Sequence, residues 1–255
     1  MKRKIVIIGD SHTDAIKAAL KNNQLKLGGD IQIKAFRFSK IKNGKQIGDI
    51  SDDAVIGVIS DLTPSDLVVS TIGGNQHQVV SLIQHPIPFD FFTTRSEGSN
   101  NLRIAGAHLI PYSTFFDYFW QGIANGKDGK RLRTLREHSN SLMVHLVPPP
   151  PKSDTDHILN NHETHFSDSG ISEMGVSSPE LRLNVWQLQV EVLKKIMSES
   201  DIGLLPPPQK SMDSNGFLAK CFYANDATHA NKNYGELVVA QVIAYLEKIN
   251  IVGVN

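Results

Sequence analysis

The sequence has only one cysteine, Cys221, and no long hydrophobic run. A single cysteine excludes an internal disulfide framework. Because Phe222 and Tyr223 follow it, we expect Cys221 to be a small buried residue and not a nucleophile. No apolar stretch approaches the ~18 residues of a membrane span, and the apolar residues 5–8 are too few for a signal peptide. We therefore expect a cytoplasmic protein that makes no membrane contact.

The sequence also lacks an excess of charge of either sign. Lys and Arg number 26 and Asp and Glu number 26 in 255 residues. Proteins that hold nucleic acid by counterion release are usually basic, so we expect no nucleic-acid partner. The glycine-rich loops of nucleotide-binding proteins are missing as well, and we expect no cofactor.

Short apolar segments alternate with amphipathic segments along the chain. Strands are predicted at residues 5–8, 31–38, 66–72, 142–147 and 202–205, and helices at residues 14–22, 52–62, 181–197 and 234–246. Short apolar runs bounded by Gly, Asp or Pro are typical of strands buried on both faces of a parallel sheet. Strands that alternate with helices form βαβ units. We predict an α/β protein, a three-layer α/β/α sandwich around a five-stranded parallel sheet.

Two segments, at about residues 85–139 and 152–180, are too long to be simple connections between a strand and a helix. Such insertions usually form lids or extra helices at the rim of a domain. We expect one domain over residues 1–255 that carries both insertions, which follow strands three and four. Nine aromatic residues fall within residues 89–120. They favour either a small core beneath the first insertion or, in part, a wall of a substrate pocket.

Polar side chains that suit acyl transfer follow two predicted strands and precede the last helix. Gly-Asp-Ser ends at Ser11 after strand one, Gly-Gly-Asn ends at Asn75 after strand three, and Asp-Ala-Thr-His runs from Asp226 to His229. Ligands of open parallel sheets bind beyond the carboxyl ends of the strands. We therefore expect these four side chains on one rim of the sheet.

Each of these residue types has a chemical use at such a rim. A serine hydroxyl needs a base within hydrogen-bond reach, and a histidine, with an ordinary pKa of roughly 6.5, is mostly neutral at pH 7. Asp226 can reach back to the other ring nitrogen of His229. The backbone N–H of Ser11, at the start of a helix, and the amide of Asn75 can stabilise a developing oxyanion.

In these three blocks the chain resembles the SGNH hydrolase superfamily, the GDSL-type esterases and lipases. The resemblance implies that Ser11 is the nucleophile, His229 the base, Asp226 its orienting carboxylate and Asn75 an oxyanion donor. It also implies the flavodoxin-like strand order 2-1-3-4-5.

The sequence departs from the family pattern at two places. His12 stands where the commonest form of the first block has leucine. The family's second block is a glycine after strand two that supplies a further oxyanion N–H, and both Gly44 and Gly48 are candidates for it.

The expected reaction is hydrolysis of an ester through an acyl-enzyme intermediate. The expected partner is a small-molecule or carbohydrate ester, and family analogy suggests a small O-acyl group such as acetyl on a sugar. Two alternatives stay open. The first is an acyltransferase with the same triad, in which a sugar hydroxyl replaces water. The second is a non-catalytic carbohydrate-binding module that keeps the pocket.

Two other groups of residues suggest less specific roles. His157, His162 and His165 with Glu163 resemble a metal cluster, but their spacing differs from the His-Glu-x-x-His of zinc proteases. We expect a solvated loop there and no metal site. A basic stretch over residues 127–136 is typical of a solvated helix face.

Overall fold

The computed structural model of the chain describes residues 2–21, 30–42, 44–92, 106–162 and 164–252. Its strands are β1 (Arg3–Gly9), β2 (Ile31–Arg37), β3 (Lys40–Lys42), β4 (Lys45–Ile47), β5 (Leu67–Thr71), β6 (Phe89–Phe91), β7 (His108–Ile110), β8 (Leu142–Leu146) and β9 (Gly203–Leu205). Its helices are α1 (Thr13–Leu20), α2 (Asp52–Ser60), α3 (Gln76–Ser81), α4 (Tyr112–Ala124), α5 (Lys127–His138), α6 (Thr155–Asn160), α7 (Thr164–Asp168), α8 (Ile171–Met174), α9 (Pro179–Glu199) and α10 (Lys232–Val252).

Five of the strands form one parallel sheet in the order β2-β1-β5-β8-β9. In its register, Ile7 of β1 lies opposite Ala35 of β2 on one side and Val69 of β5 on the other. These five are the strands that the sequence predicts, and their order confirms 2-1-3-4-5. A small antiparallel hairpin, β3–β4, and a parallel pair, β6–β7, lie outside the main sheet.

Alternate residues of β1 face opposite sides of the sheet, as the strand geometry requires. Val6 and Ile8 belong to a core that also contains residues of α2, α4, α5 and α9. Ile5 and Ile7 belong to a second core, with residues of α1 and α10. All four side chains are 3% exposed or less. The sheet therefore lies between two helical layers, which confirms the predicted three-layer sandwich.

The long helix α9 shows why the sequence is helical there. The Ser178 hydroxyl caps its first turn by accepting a hydrogen bond from the Leu181 N–H at 3.2 Å, and Pro179 occupies the first helical position, where a missing N–H costs nothing. Its buried face includes the predicted apolar stripe, but it also holds Arg182 and Gln189. These two buried polar side chains point toward the carboxyl edge of the sheet, as described below.

Most aromatic residues of the first insertion pack in or against the larger core, while Phe92 and Tyr118 are exposed. Phe91, Phe115 and Phe119 are buried in the same cluster as α9. Phe89 and Phe91 both meet Phe115 edge to face, with ring centroids 5.8 and 4.8 Å apart, a preferred geometry for aromatic pairs. Residues 93–105 of this insertion, and Asn22 at the end of the first predicted helix, lie outside the described residues.

One expectation about a single segment is wrong. Cys221 is exposed, because Phe222 and Tyr223 pack against the second core and leave the short turn at Cys221 on the surface. The basic stretch is largely solvated, since Lys127, Lys130 and Arg133 are exposed, but Arg133 also donates to the Ala124 carbonyl at 2.8 Å and Arg136 to the Ser139 carbonyl at 3.0 Å.

Across the described ranges, no helix combines the length and the apolar character that crossing a membrane requires.

Candidate active site

The structure brings Ser11, His229 and Asp226 together in one hydrogen-bonded line. Ser11 lies between the end of β1 and the start of α1, and the other two lie in the loop before α10. The Ser11 Oγ is 2.8 Å from His229 Nε2, and His229 Nδ1 is 2.9 Å from Asp226 Oδ2. A hydroxyl, an imidazole and a carboxylate in this order can pass a proton from the serine to the histidine.

The contacts of Asp226 fix the protonation of the imidazole. Its Oδ1 accepts the backbone N–H groups of Thr228 at 2.9 Å and His229 at 2.7 Å, so the carboxylate is locked within its own turn. Its Oδ2 accepts from His229, and Nδ1 therefore carries the proton. Nε2 is left with a lone pair toward the hydroxyl of Ser11, which is the tautomer that a general base needs.

The electrostatics of this turn keep Asp226 ionised. Burial by itself raises the pKa of the Asp226 carboxyl, but hydrogen bonds and charge attraction from His229, with the nearby Lys152 ammonium, outweigh it. Together they hold the pKa of Asp226 well below its usual range. The carboxylate is thus available, at any neutral or mildly acidic pH, to stabilise a protonated His229.

Lys152 contacts this turn from the protein interior. The sequence patterns do not predict a role for it. Its side chain is 1% exposed, and Nζ lies 3.5 Å from Asp226 Oδ1. Nζ also donates to the Ala224 carbonyl at 2.8 Å and to the backbone carbonyl of Asp226. A signal was available, because Lys152 follows β8 and four prolines at the same rim of the sheet.

Helix α9 holds both this lysine and the loop after β5. The buried Arg182 guanidinium donates to the carbonyls of Lys152 and Ser153, each at 3.0 Å. Gln189, also buried, accepts the His77 N–H at 2.7 Å and lies 3.4 Å from the Gly73 carbonyl. Two buried polar side chains of one helix therefore position two loops of the site.

Asn75 is the first residue before α3, and its side chain points away from that helix. It makes no capping bond within the described residues. Its Oδ1 lies 2.7 Å from His12 Nε2, and the His12 ring centroid is 5.2 Å from that of His229. Burial and the nearby His229 lower the pKa of His12 to about 3, so His12 stays neutral and is a much weaker base than an ordinary imidazole.

The Gly-Asp-Ser and Gly-Gly-Asn blocks are joined through the side chain of Asp10. Gly73 donates its N–H to Asp10 Oδ2 at 3.2 Å. Arg131 of α5 lies 3.7 Å from Asp10 Oδ1, forks onto the Asp52 carboxylate and stacks 4.1 Å over the Phe38 ring. Arg131 therefore ties the first insertion to the site, in contrast to the solvated helix face expected.

The contacts of Gly44 and Gly48 do not identify either of them as the glycine that supplies the further oxyanion N–H. Gly44 is exposed in the turn of the β3–β4 hairpin. Gly48 has a φ of +93°, and a Cβ there would lie 2.3 Å from the Phe38 carbonyl oxygen. Packing of the hairpin against Phe38 thus explains Gly48 without an oxyanion role, and the second-block donor remains a prediction.

The histidines of the second insertion point to different partners. His157 Nε2 lies 3.1 Å from the Ala224 carbonyl and 3.2 Å from that of Asp226. His162 Nδ1 lies 2.8 Å from the Leu159 carbonyl. Glu163 and the side chain of His165 lie outside the described residues. His157 is therefore part of the support beneath the Asp226 turn.

The four predicted site residues line one open cleft of about 820 Å³. Its other walls come from the β3–β4 hairpin, the start of α10 and Phe166 of α7. Phe166 is the one phenyl ring among the described residues that line it, so the aromatic residues of the first insertion do not reach the cleft.

No family model matches the sequence, and no curated protein matches it. Among solved structures, an extracellular lipase from Streptomyces rimosus is 12% identical, with 94% of this chain and 99% of that chain covered and a TM-score of 0.50. A GDSL-like lipase from Bacteroides thetaiotaomicron is 11% identical over 97% of this chain and 89% of that chain, with a TM-score of 0.43.

A carbohydrate acetylesterase from Sinorhizobium meliloti is 13% identical over 96% of this chain and all of that chain (100%), with a TM-score of 0.44. At these identities the similarity concerns the fold. The fold shared with the lipase is the one that the resemblance to the SGNH hydrolases implies, and that expectation is confirmed.

Proposed function

We propose that this protein is a serine hydrolase that cleaves an ester through an acyl-enzyme intermediate. The observation that carries the proposal is the hydrogen-bonded line of Ser11 Oγ, His229 Nε2 and Nδ1, and Asp226 Oδ2, with steps of 2.8 and 2.9 Å, at the wall of an open cleft. Geometry of this kind is how a triad is recognised, independent of the order of its residues in the chain.

In the first step Ser11 Oγ attacks the ester carbonyl carbon while its proton moves to His229 Nε2. The ionised Asp226 stabilises the imidazolium that forms. The carbonyl oxygen becomes an oxyanion, and the Ser11 backbone N–H and the Asn75 side-chain amide are the donors we assign to it. The bond to the leaving alcohol then breaks, and His229 returns its proton to the alcohol oxygen.

In the second step water takes the place of the alcohol. The water oxygen attacks the acyl-Ser11 carbonyl carbon while His229 removes a proton from the water. The same two donors stabilise the second oxyanion. Collapse of this intermediate breaks the bond to Ser11 Oγ, which recovers its proton from His229. The products are the free acid and the resting enzyme.

The walls of the cleft favour a polar substrate with a short acyl group, and a small O-acyl group on a carbohydrate fits this class. The lining includes the exposed ammonium side chains of Lys40 and Lys232. Such groups donate hydrogen bonds to hydroxyl and ring oxygens. A long alkyl chain would instead need an extended apolar surface.

The test is a series of p-nitrophenyl esters from acetate to palmitate, with an acetylated sugar beside them, assayed with wild type, Ser11→Ala and the surface control Ser65→Ala. We expect activity to be highest with short acyl groups, unchanged in Ser65→Ala, and at least about 10³-fold lower in Ser11→Ala. Retention of a tenth or more of the activity in Ser11→Ala contradicts the proposal.

Two further measurements separate the alternatives. A serine-reactive fluorophosphonate should label wild type at Ser11, whereas absence of both labelling and turnover indicates a binding module. An added sugar acceptor should leave the yield of free acid unchanged. Transfer of the acyl group to the acceptor in place of hydrolysis identifies an acyltransferase.

A further inference from the structure

We propose that His12 is a positioning residue that fixes the orientation of the Asn75 amide, so that Asn75 Nδ2 faces the oxyanion. This inference rests on the proposed function, because it assigns to His12 a task in the same reaction. His12 stands at the one position where the Gly-Asp-Ser block departs from the commonest family pattern.

The side chain of Asn75 has two ends that differ in chemistry but hardly in shape. The oxygen end accepts hydrogen bonds and would repel an oxyanion, while the nitrogen end donates two. Asparagine before a helix usually caps it, which would use the oxygen, yet Asn75 makes no capping bond to α3 within the described residues. Another partner must therefore select the orientation of the amide.

His12 is that partner. Its Nε2 lies 2.7 Å from Asn75 Oδ1. An amide oxygen only accepts, so His12 must donate from Nε2, which directs Nδ2 of Asn75 away from the ring. A leucine at this position, as in the commonest form of the block, has no donor and leaves the selection to other groups.

Gly74 makes the room that this contact needs. A Cβ at Gly74 would lie 2.5 Å from His12 Cδ2 and 2.7 Å from His12 Nε2. Any other residue at this position would displace the imidazole from Asn75. The second residue of the Gly-Gly-Asn block and the residue after Ser11 are thus sterically matched across two neighbouring strands.

Neutrality of His12 matters because the two imidazoles are neighbours, with ring centroids 5.2 Å apart. When His229 takes the serine proton, a charged His12 would oppose it. Dense surroundings hold His12 in the neutral form, with its pKa lowered to about 3. His12 can therefore donate a hydrogen bond without disfavouring protonation of the base.

The test is a double-mutant cycle of His12→Leu and Asn75→Ala, with His12→Gln as the matched variant. Removal of one oxyanion donor costs about 10²–10³ in kcat. We expect His12→Leu to lose about 10- to 100-fold in kcat with KM within about twofold, because the amide acts in the transition state. Gln places a neutral N–H near the position of Nε2, so His12→Gln should recover most of the rate.

In the Asn75→Ala background, His12→Leu should lower kcat by less than about twofold, because His12 acts only by orienting the Asn75 amide. An equal loss in both backgrounds, or a His12→Gln variant as slow as His12→Leu, overturns the proposal. Gly74→Ala provides an independent route to the same result, since it displaces the ring and changes neither partner. We expect a similar loss of kcat from it, and an unchanged kcat also overturns the proposal.

A measurement that does not depend on turnover separates this proposal from the proposed function. In ¹⁵N NMR of the imidazole side chains, His12 should be neutral and protonated at Nε2 from pH 5 to pH 8. Protonation at Nδ1 alone overturns the positioning role even if Ser11→Ala is inactive. Full activity of Ser11→Ala with the Nε2 proton in place instead overturns the hydrolase and leaves the contact of His12 intact.

Discussion

Arg182 and Gln189 lie two turns apart on the buried face of α9, and each holds a different loop of the site. Arg182 donates to the backbone carbonyls of Lys152 and Ser153, and Gln189 accepts the His77 N–H beyond Asn75. One helix thus contacts both the Lys152 segment, which bonds to the Asp226 turn, and the loop that carries Asn75. Such support is what keeps catalytic groups aligned.

Lys152→Met should lower stability and activity together. The variant keeps the apolar stem but removes the buried ammonium that donates to the Ala224 and Asp226 carbonyls, and loss of a donor to buried polar groups costs about 1–3 kcal/mol. We expect the free energy of unfolding in urea to fall by about that amount. The acid limb of the pH–rate profile should move to higher pH, because a cation that opposes protonation of His229 is gone.

The control for this variant is Lys220→Met. Lys220 is 75% exposed and pairs with Asp154 at 2.7 Å, and exposed ion pairs contribute little. Its stability and pH profile should stay close to wild type. Equal effects of the two variants would show that Lys152 acts as an ordinary surface charge.

Asp226→Asn should fold and lose most of its activity. The amide cannot stabilise the imidazolium and can present its nitrogen to His229 Nδ1, which selects the wrong tautomer; in serine-protease triads such a change costs up to ~10⁴ in kcat. Asp154→Asn is the matched control, because asparagine caps a helix as well as aspartate does. A loss of less than tenfold in steady-state kcat contradicts the assigned role of Asp226.

Two buried histidines should make the fold sensitive to acid. Burial lowers the pKa of His77 and of His145 to about 4 in each case, while unfolded histidine titrates near 6.5. Between these values the unfolded chain binds more protons than the folded chain, so stability rises with pH. The stability that the two neutral histidines contribute is fully present above about pH 6.5 and declines as the pH falls toward 4.

Each of the two groups contributes a slope of about 1.4 kcal/mol per pH unit between pH 6 and pH 5. Urea unfolding at several pH values measures the total slope. His145→Gln should reduce it by the contribution of one histidine. His85→Gln is the control, because His85 is exposed. An unchanged slope in His145→Gln would mean that His145 titrates alike in both states.

Phe166 should affect the selectivity for acyl length, whereas Phe89 should affect only the stability of the fold. Phe166 lines the cleft, so Phe166→Ala should change the ratio of kcat/KM between acetate and butyrate esters. Phe89 packs edge to face on Phe115 instead. Phe89→Ala should therefore lower the free energy of unfolding by about 1–3 kcal/mol and leave that ratio unchanged. A changed ratio in Phe89→Ala alone would place the first insertion in the substrate pocket.

The strands of the main sheet are readable from local patterns because most are short apolar runs, while β2, at the edge of the sheet, alternates apolar and polar residues. The predicted strands at residues 5–8 and 66–72 correspond to Arg3–Gly9 and Leu67–Thr71. The short helix α3, the β3–β4 hairpin and the small β6–β7 pair are not readable in this way. They have few residues and no sustained period, and their positions depend on contacts with the rest of the chain.

The candidate residues were also readable, since Ser11, Asn75, Asp226 and His229 lie in short blocks at the ends of strands or before a helix. The hydrogen bonds from Ser11 to His229 and from His229 to Asp226 were expected on chemical grounds, but the contact of His12 with Asn75 was not, and neither were the roles of Lys152, Arg182 and Gln189. A buried polar residue looks in the sequence like any polar residue on a helix or in a loop. Only its surroundings show that it is buried and bonded.

The sequence by itself therefore determined the succession along the chain of the five main strands and four of the helices, and the four residues expected at one edge of the sheet, because short apolar runs mark strands and parallel strands end at the same edge. The tertiary structure decided which atoms face each other. The contact of Ser11 with His229, the orientation of the Asn75 amide beside His12 and the burial of Lys152 all depend on distances of about 3 Å between segments remote in the chain. Such distances are set by the packing of the helices against the sheet and not by any local pattern.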